Sequence, residues 1–179
     1  MIADSIDTDP VVALASPRPD FDGALTEFLI GLLAAAYPLD NEEDWRELWE
    51  RPPNRADLRA ALLRLPPGFD LDGDGPRLLQ DFTPADLDEA EVAPVQELLV
   101  EGKNDALFIK PDTLRQIGRP AAAMALITIQ SYSPAGGRGY RTSLRGGGPL
   151  TTLVDPRPTG EARPIDRSLW RYLWANVPT

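Results

Sequence analysis

Residues Asp22–Tyr37, DGALTEFLIGLLAAAY, set the class of this fold. Leu25, Phe28, Leu29, Leu32, Leu33 and Ala36 recur at the spacing that places side chains on one face of a 3.6-residue helix. Asp22 is a candidate N-cap and Pro38 a stop. Next along the chain, Asn41–Glu50 (NEEDWRELWE) predicts a second helix with Trp45, Leu48 and Trp49 on one face. Its first turn is acidic, as the helix dipole favours. The aromatic face reads as core, with base stacking as the alternative. Asn54 caps a third helix, Arg55–Leu65, ended by Pro66-Pro67-Gly68. Pro76–Phe82 reads as a short buried segment, Pro84–Glu91 as helical, and Val92–Val100 as a strand or short helix. A strand is expected at Ala106–Ile109, a buried helix at Ala121–Gln130, and a second strand at Leu150–Val154. Asp166–Val177 closes the chain as a helix with Leu169, Trp170, Leu173 and Trp174 on its apolar side. The expected fold is α+β, a mixed single domain with several helices, short strands and a glycine-rich loop. Residues 1–20 form a partly ordered lead-in to a domain over 21–179.

Composition narrows the function. The chain has 179 residues, no cysteine and no histidine. Disulfides, thiolate metal sites and the commonest general base are therefore unavailable. No G-x-S-x-G elbow or P-loop occurs, and the carboxylate runs at Asn41–Asp44 and Asp86–Glu91 read as solvated. The expectation is a protein that is not an enzyme and needs no cofactor or metal. Without a secretory leader or an apolar run long enough for a membrane span, it is expected to be cytoplasmic and to have no membrane partner. The net charge of −10 conceals a division. Residues 1–101 carry 7 Lys+Arg against 23 Asp+Glu, whereas residues 102–179 carry 11 against 5. An acidic half and a basic half follow, the second able to meet phosphates because local potential governs binding.

Within the basic half, Ser133–Val154 (SPAGGRGYRTSLRGGGPLTTLV) holds six of the fourteen glycines and three arginines. Glycine lets a backbone approach a ligand closely, and arginine offers planar, permanently charged donors to phosphate. The competing motif is Asp70-Leu71-Asp72-Gly73-Asp74-Gly75, continuing to Asp81, which has calcium-loop spacing. Arg77 at an apolar position, Asp81 in place of a bidentate glutamate, and the prolines before the loop favour a plain acidic turn.

The block Arg141-Thr142-Ser143-Leu144-Arg145-Gly146-Gly147-Gly148-Pro149-Leu150-Thr151-Thr152 resembles CasA, the large subunit of the type I-E CRISPR complex Cascade. Weaker similarity runs through Asp44–Pro53, Asn104–Pro111, Ala121–Gln130 and Leu169–Val177. The resemblance covers the N-terminal part of a typical member; the opening W-I-P-V strand and C-terminal helical bundle have no counterpart, which implies a fragment or a reduced variant. It implies a non-catalytic subunit that helps recognise the protospacer-adjacent motif on target double-stranded DNA and docks on the 5′ handle of the guide RNA (crRNA). Gly136, Gly137 and Gly139 would then approach the minor groove, with Arg138, Arg141 and Arg145 completing the DNA contact set. Arg138 stands where a relative can carry glycine, so its side chain would enter the groove. Asn104, Phe108 and Lys110 would meet the guide RNA by amide, ring and ammonium, although Phe108 also suits a core. Some relatives carry a Cys-x-x-Cys where this chain has Gly118 and Ala121, which implies no metal staple. The implied partners are guide RNA, target DNA, the other Cascade subunits and a helicase-nuclease recruited after target binding. The alternative class is a protein-interaction module with an acidic docking face and no nucleic-acid contact. A calcium-binding regulator ranks third.

Overall fold

A computed structural model describes residues 9–80, 93–102, 114–133, 143–144 and 151–179. About half of these residues are helical: α1 (Pro19–Ala36), α2 (Glu42–Glu50), α3 (Arg55–Leu62), α4 (Arg119–Tyr132) and α5 (Leu169–Trp174). Short 3₁₀ turns occupy Val95–Leu98, Val100–Gly102 and Pro164–Arg167. The expected α+β class is corrected to helical: no strand forms among the described residues, which hold one isolated bridge, Asp70 to Arg77. Of the strand or short helix expected over Val92–Val100, the described part takes the short helical form, as 3₁₀ turns at Val95–Leu98 and Val100–Gly102. The expected strand at Ala106–Ile109 and helix at Pro84–Glu91 lie outside the described residues. Contacts divide the chain into two compact units, one of residues 1–17, 26–66 and 150–179, the other of 18–25 and 67–149.

Local sequence explains most boundaries. α1 starts three residues before the expected cap, at Pro19, because proline's fixed φ suits the first helical position and its missing N–H costs nothing there. Asn41 caps α2, its Oδ1 accepting from the backbone N–H of Glu43 at 2.8 Å and Asp44 at 3.1 Å. Asn54 repeats the device on α3 with Ala56 and Asp57, at 2.9 and 3.0 Å. α3 ends at Leu62 instead of Leu65: Arg64 and Leu65 donate back three residues, because Pro66 disfavours helical geometry in the residue before it. The closing helix is also shorter than its sequence suggests. Ser168 turns extended (φ −65°, ψ 151°) and its hydroxyl donates to the Ile165 carbonyl at 2.6 Å, separating the 3₁₀ turn from α5.

In the first unit, α2 and α5 meet through tryptophans. Trp45 Nε1 donates to the Trp174 carbonyl at 3.3 Å, and Trp174 Nε1 donates to the Trp45 carbonyl at 3.0 Å. Trp170 Nε1 donates to the Leu48 carbonyl at 3.3 Å. Trp170 stacks on Trp174 (centroids 5.2 Å apart) and Trp45 on Trp49 (5.3 Å), while Tyr37 sets its edge against the first pair. Ile30 and Leu33 of α1, with Leu173 and Val177, complete the core. The aromatic face of α2 thus packs, half-buried, against the core, in line with its spacing.

In the second unit, α4 packs against the 3₁₀ turns at 95–98 and 100–102 and buries Ala125, Ile127, Thr128 and Ile129. Arg18 binds two carboxylates bidentately, Asp20 at 2.9 and 3.0 Å and Glu101 at 2.6 and 2.7 Å, so it ties the start of α1 to the 100–102 turn. These bonds raise its pKa, Asp20 contributing most. Gly102 is required by proximity: a Cβ there would lie inside the van der Waals envelope of the Gln96 carbonyl.

Trp174→Ala is expected to cost about 3–5 kcal/mol through the cavity it leaves. Trp174→Phe, which keeps a ring but removes the indole N–H donated to the Trp45 carbonyl, should cost about 0.5–1.5 kcal/mol. Urea unfolding followed by far-UV circular dichroism checks both. In the other unit, Gly102→Ala is expected to destabilise by about 1–3 kcal/mol, visible as a lowered melting temperature; an unchanged transition would refute the steric account.

Candidate nucleic-acid interface

The described residues on either side of the glycine- and arginine-rich segment are Ser133, which ends α4, and Thr151. Gly118 and Pro120 mark the start of α4, and Ala121–Gln130 runs without a breaker. Thr128 and Ser131 turn their hydroxyls back to the carbonyls of Met124 (2.8 Å) and Ile127 (2.9 Å), so neither leaves an unpaired polar group in the packed helix. Ser133, buried, ends it by donating its backbone N–H to Ile129 at 3.0 Å. Within the segment, Ser143 is partly buried and Leu144 is exposed.

The chain from Thr151 on is held by side chains. Leu153 packs on the core of the first unit. The amide of Asn176 accepts from the Val154 N–H and donates to the Val154 carbonyl, both at 2.8 Å, and donates also to Tyr172. A side-chain amide thus takes both backbone groups that a neighbouring strand would pair, and the strand expected at Leu150–Val154 is corrected to irregular chain over its described residues, 151–154. Three residues on, Arg157 grips the Asp155 carboxylate at 2.7 and 2.8 Å, donates to the Val12 carbonyl at 2.5 Å and lies over the Tyr172 ring at 4.6 Å.

Arginines of the basic half that the structure describes are largely committed. Arg119 pairs with Asp72, Arg157 with Asp155 and Arg163 with Asp166; Arg167 donates to the Gly160 carbonyl at 2.5 Å, and Arg171 to that of Trp49. Part of the basic excess is therefore neutralised locally. Sequence reasoning missed Arg157, Asn176 and Arg171 as holding residues. Asp155 two residues before Arg157 was the available signal for the first; Asn176 and Arg171 find partners 22 and 122 positions away, beyond any local pattern.

The residues singled out for DNA (Gly136, Gly137, Arg138, Gly139, Arg141 and Arg145) lie outside the described residues, and so do Asn104, Phe108 and Lys110 for guide RNA. In the Asp70–Asp81 turn, the Asp72 carboxylate is held by Arg119, which lowers its pKa, and the Leu71 carbonyl accepts from Gln80 at 2.8 Å. Gly73 takes positive φ (126°), a geometry glycine adopts without strain. No group of three or more acidic side chains able to hold a metal ion occurs among the described residues, Asp81 lying outside them.

Helices with carboxamide-capped starts, tied by tryptophan and arginine contacts, define a scaffold that carries long connecting segments. A family model described as CRISPR-associated protein Cse1 matches residues 2–179. The chain belongs to the CRISPR-associated protein Cse1 family, and so to the large subunits of Cascade, in agreement with the CasA resemblance. No curated protein and no solved structure matches it. No helix among the described residues is long and apolar enough to cross a membrane.

Acid should loosen the chain around Asp155 and Asp166. Hydrogen bonds from Arg157 hold the Asp155 carboxyl below its ordinary range, and those from Arg163 do the same for Asp166. A carboxyl with a depressed folded pKa contributes stability above its unfolded value, about 3.9, and loses it as pH falls through the folded value. Melting temperature is therefore expected to drop below about pH 4, and less steeply for Asp155→Asn than for wild type; parallel pH profiles would contradict the clamp.

Proposed function

We propose that this chain contributes to recognition of the protospacer-adjacent motif on target double-stranded DNA and to docking on the guide-RNA 5′ handle, within a Cascade complex. The observation that carries this reading is the block Arg141–Thr152, found in a chain that matches the Cse1 family over residues 2–179. Gly136, Gly137 and Gly139 bring backbone to the minor groove, whose degenerate pattern is read by close approach. Arg138, Arg141 and Arg145 supply side chains to the same duplex, with phosphates as the targets of Arg141 and Arg145. Asn104, Phe108 and Lys110 meet the guide RNA. The chain performs no catalysis in this reading; base pairing reads the target, the protein reads the short flanking motif, and a helicase-nuclease arrives afterwards. Support comes from the internal commitments of Arg119, Arg157, Arg163, Arg167 and Arg171, which turn attention to the arginines of the family block for phosphate contact.

The test uses the assembled complex on two duplexes that differ only in the flanking motif. Arg141→Ala with Arg145→Ala is expected to weaken both duplexes alike and flatten the salt dependence by about one contact per arginine. Gly137→Ala is expected to shrink the ratio between them, because a methyl group intrudes where backbone must sit. An unchanged ratio and an unchanged salt slope in folded variants would leave the segment a connector.

A further inference from the structure

An open cavity of about 580 Å³ in the first unit is lined by Trp49, Glu50, Arg51, Pro52, Arg163, Ile165 and Arg171. Its floor is unusual chemically. Arg171 is 6% exposed, one face of its guanidinium lies 4.2 Å from the centre of the Trp49 ring, and its Nε is buried without a hydrogen-bond partner. The nearest carboxylate, Asp166, is 3.8 Å away and is already gripped by Arg163 at 2.8 and 3.0 Å. Burial consequently pushes the Arg171 pKa below its ordinary value, against the pull of Asp166. At the mouth, Arg51 and Arg163 are exposed. Arg51, Arg163 and Arg171 line the cavity with Glu50, and Asp166, outside the lining, is taken by Arg163, so these guanidinium groups outnumber the two carboxylates by one.

The surroundings decide what neutralises it. Glu47 and Glu50, with Glu43 paired to Arg46 at 2.8 Å, form an exposed stripe along α2 that ends at the cavity. Such a stripe repels an extended phosphate backbone, yet attracts a basic protein surface. One excess cation fits one carboxylate, which the planar donors of arginine can bind in a fork. We propose that this cavity receives a single carboxylate from a partner protein, carried on a segment whose flanking lysines and arginines lie along the acidic stripe of α2.

A lysine-rich peptide amide with one central glutamate, its glutamine counterpart and a short oligouridylate are the probes, titrated calorimetrically into the full chain. The glutamate peptide is expected to bind about tenfold tighter than the glutamine peptide. That preference should fall to about twofold or less in Arg163→Gln and in Arg51→Gln, the latter at an exposed position outside the tryptophan core, with near-ultraviolet circular dichroism confirming the fold. Equal binding of the two peptides, or a preference intact in both variants, overturns the proposal. Tighter binding of oligouridylate with the same arginine dependence overturns it too, in favour of a phosphate site.

Discussion

The reciprocal bonding of Trp45 and Trp174 is the constraint on which the first unit depends. An indole buried without an acceptor for its N–H forfeits the desolvation cost of that group, so each ring must find a carbonyl. Here each takes the other's backbone oxygen, at 3.3 and 3.0 Å. α2 has nine residues and α5 six, lengths too short to persist alone in water. The carbonyls of the last turn of a helix have no partner within it. Trp170 takes the Leu48 carbonyl and Arg171 that of Trp49, so α5 caps the C-terminus of α2 with side chains, and the Arg171 charge also suits the negative end of the α2 dipole. Neither helix is complete without the other.

The same substitution of side chain for backbone recurs just after the glycine-rich segment. Asn176 pairs both polar groups of Val154, and Arg157 takes a carboxylate, a carbonyl and a ring at once. Amide and guanidinium groups do here what a sheet would do elsewhere, giving the polar groups of an irregular chain their partners. For a Cascade large subunit this arrangement holds the chain just after the family block.

Charge is organised on a finer scale than the division at residue 101 suggests. Arg119 reaches Asp72 across that division, Arg157 and Arg163 find acids within two or three residues, and Arg171 is buried on an aromatic ring. Counting residues gives the balance of each half; which charges remain available to a partner follows from pairing, and pairing is a matter of geometry.

Sequence by itself determined the positions of several helices: the apolar period of 25–36, the asparagine cap at 54, the breaker-free run of 121–130, and the packing of Trp45 and Trp49 against the core. These are local properties, fixed by a turn or two of chain. It also determined the family, through the block at Arg141–Thr152. The candidate contact residues were read from Gly136–Arg145 and from Asn104–Lys110. Tertiary structure decided what depends on distant partners. Leu150–Val154 has strand-like residues, yet its described part stays unpaired with any strand because Asn176, 22 positions on from Val154, supplies the hydrogen bonds first. Ser168 splits the closing helix through its bond to Ile165. Arg171 reads as one basic residue among eleven in the second half, and only packing against Trp49 makes it a buried cation at the floor of a cavity. Helix periods and caps are written within a few residues; the satisfaction of buried polar groups is settled by whatever folding brings beside them.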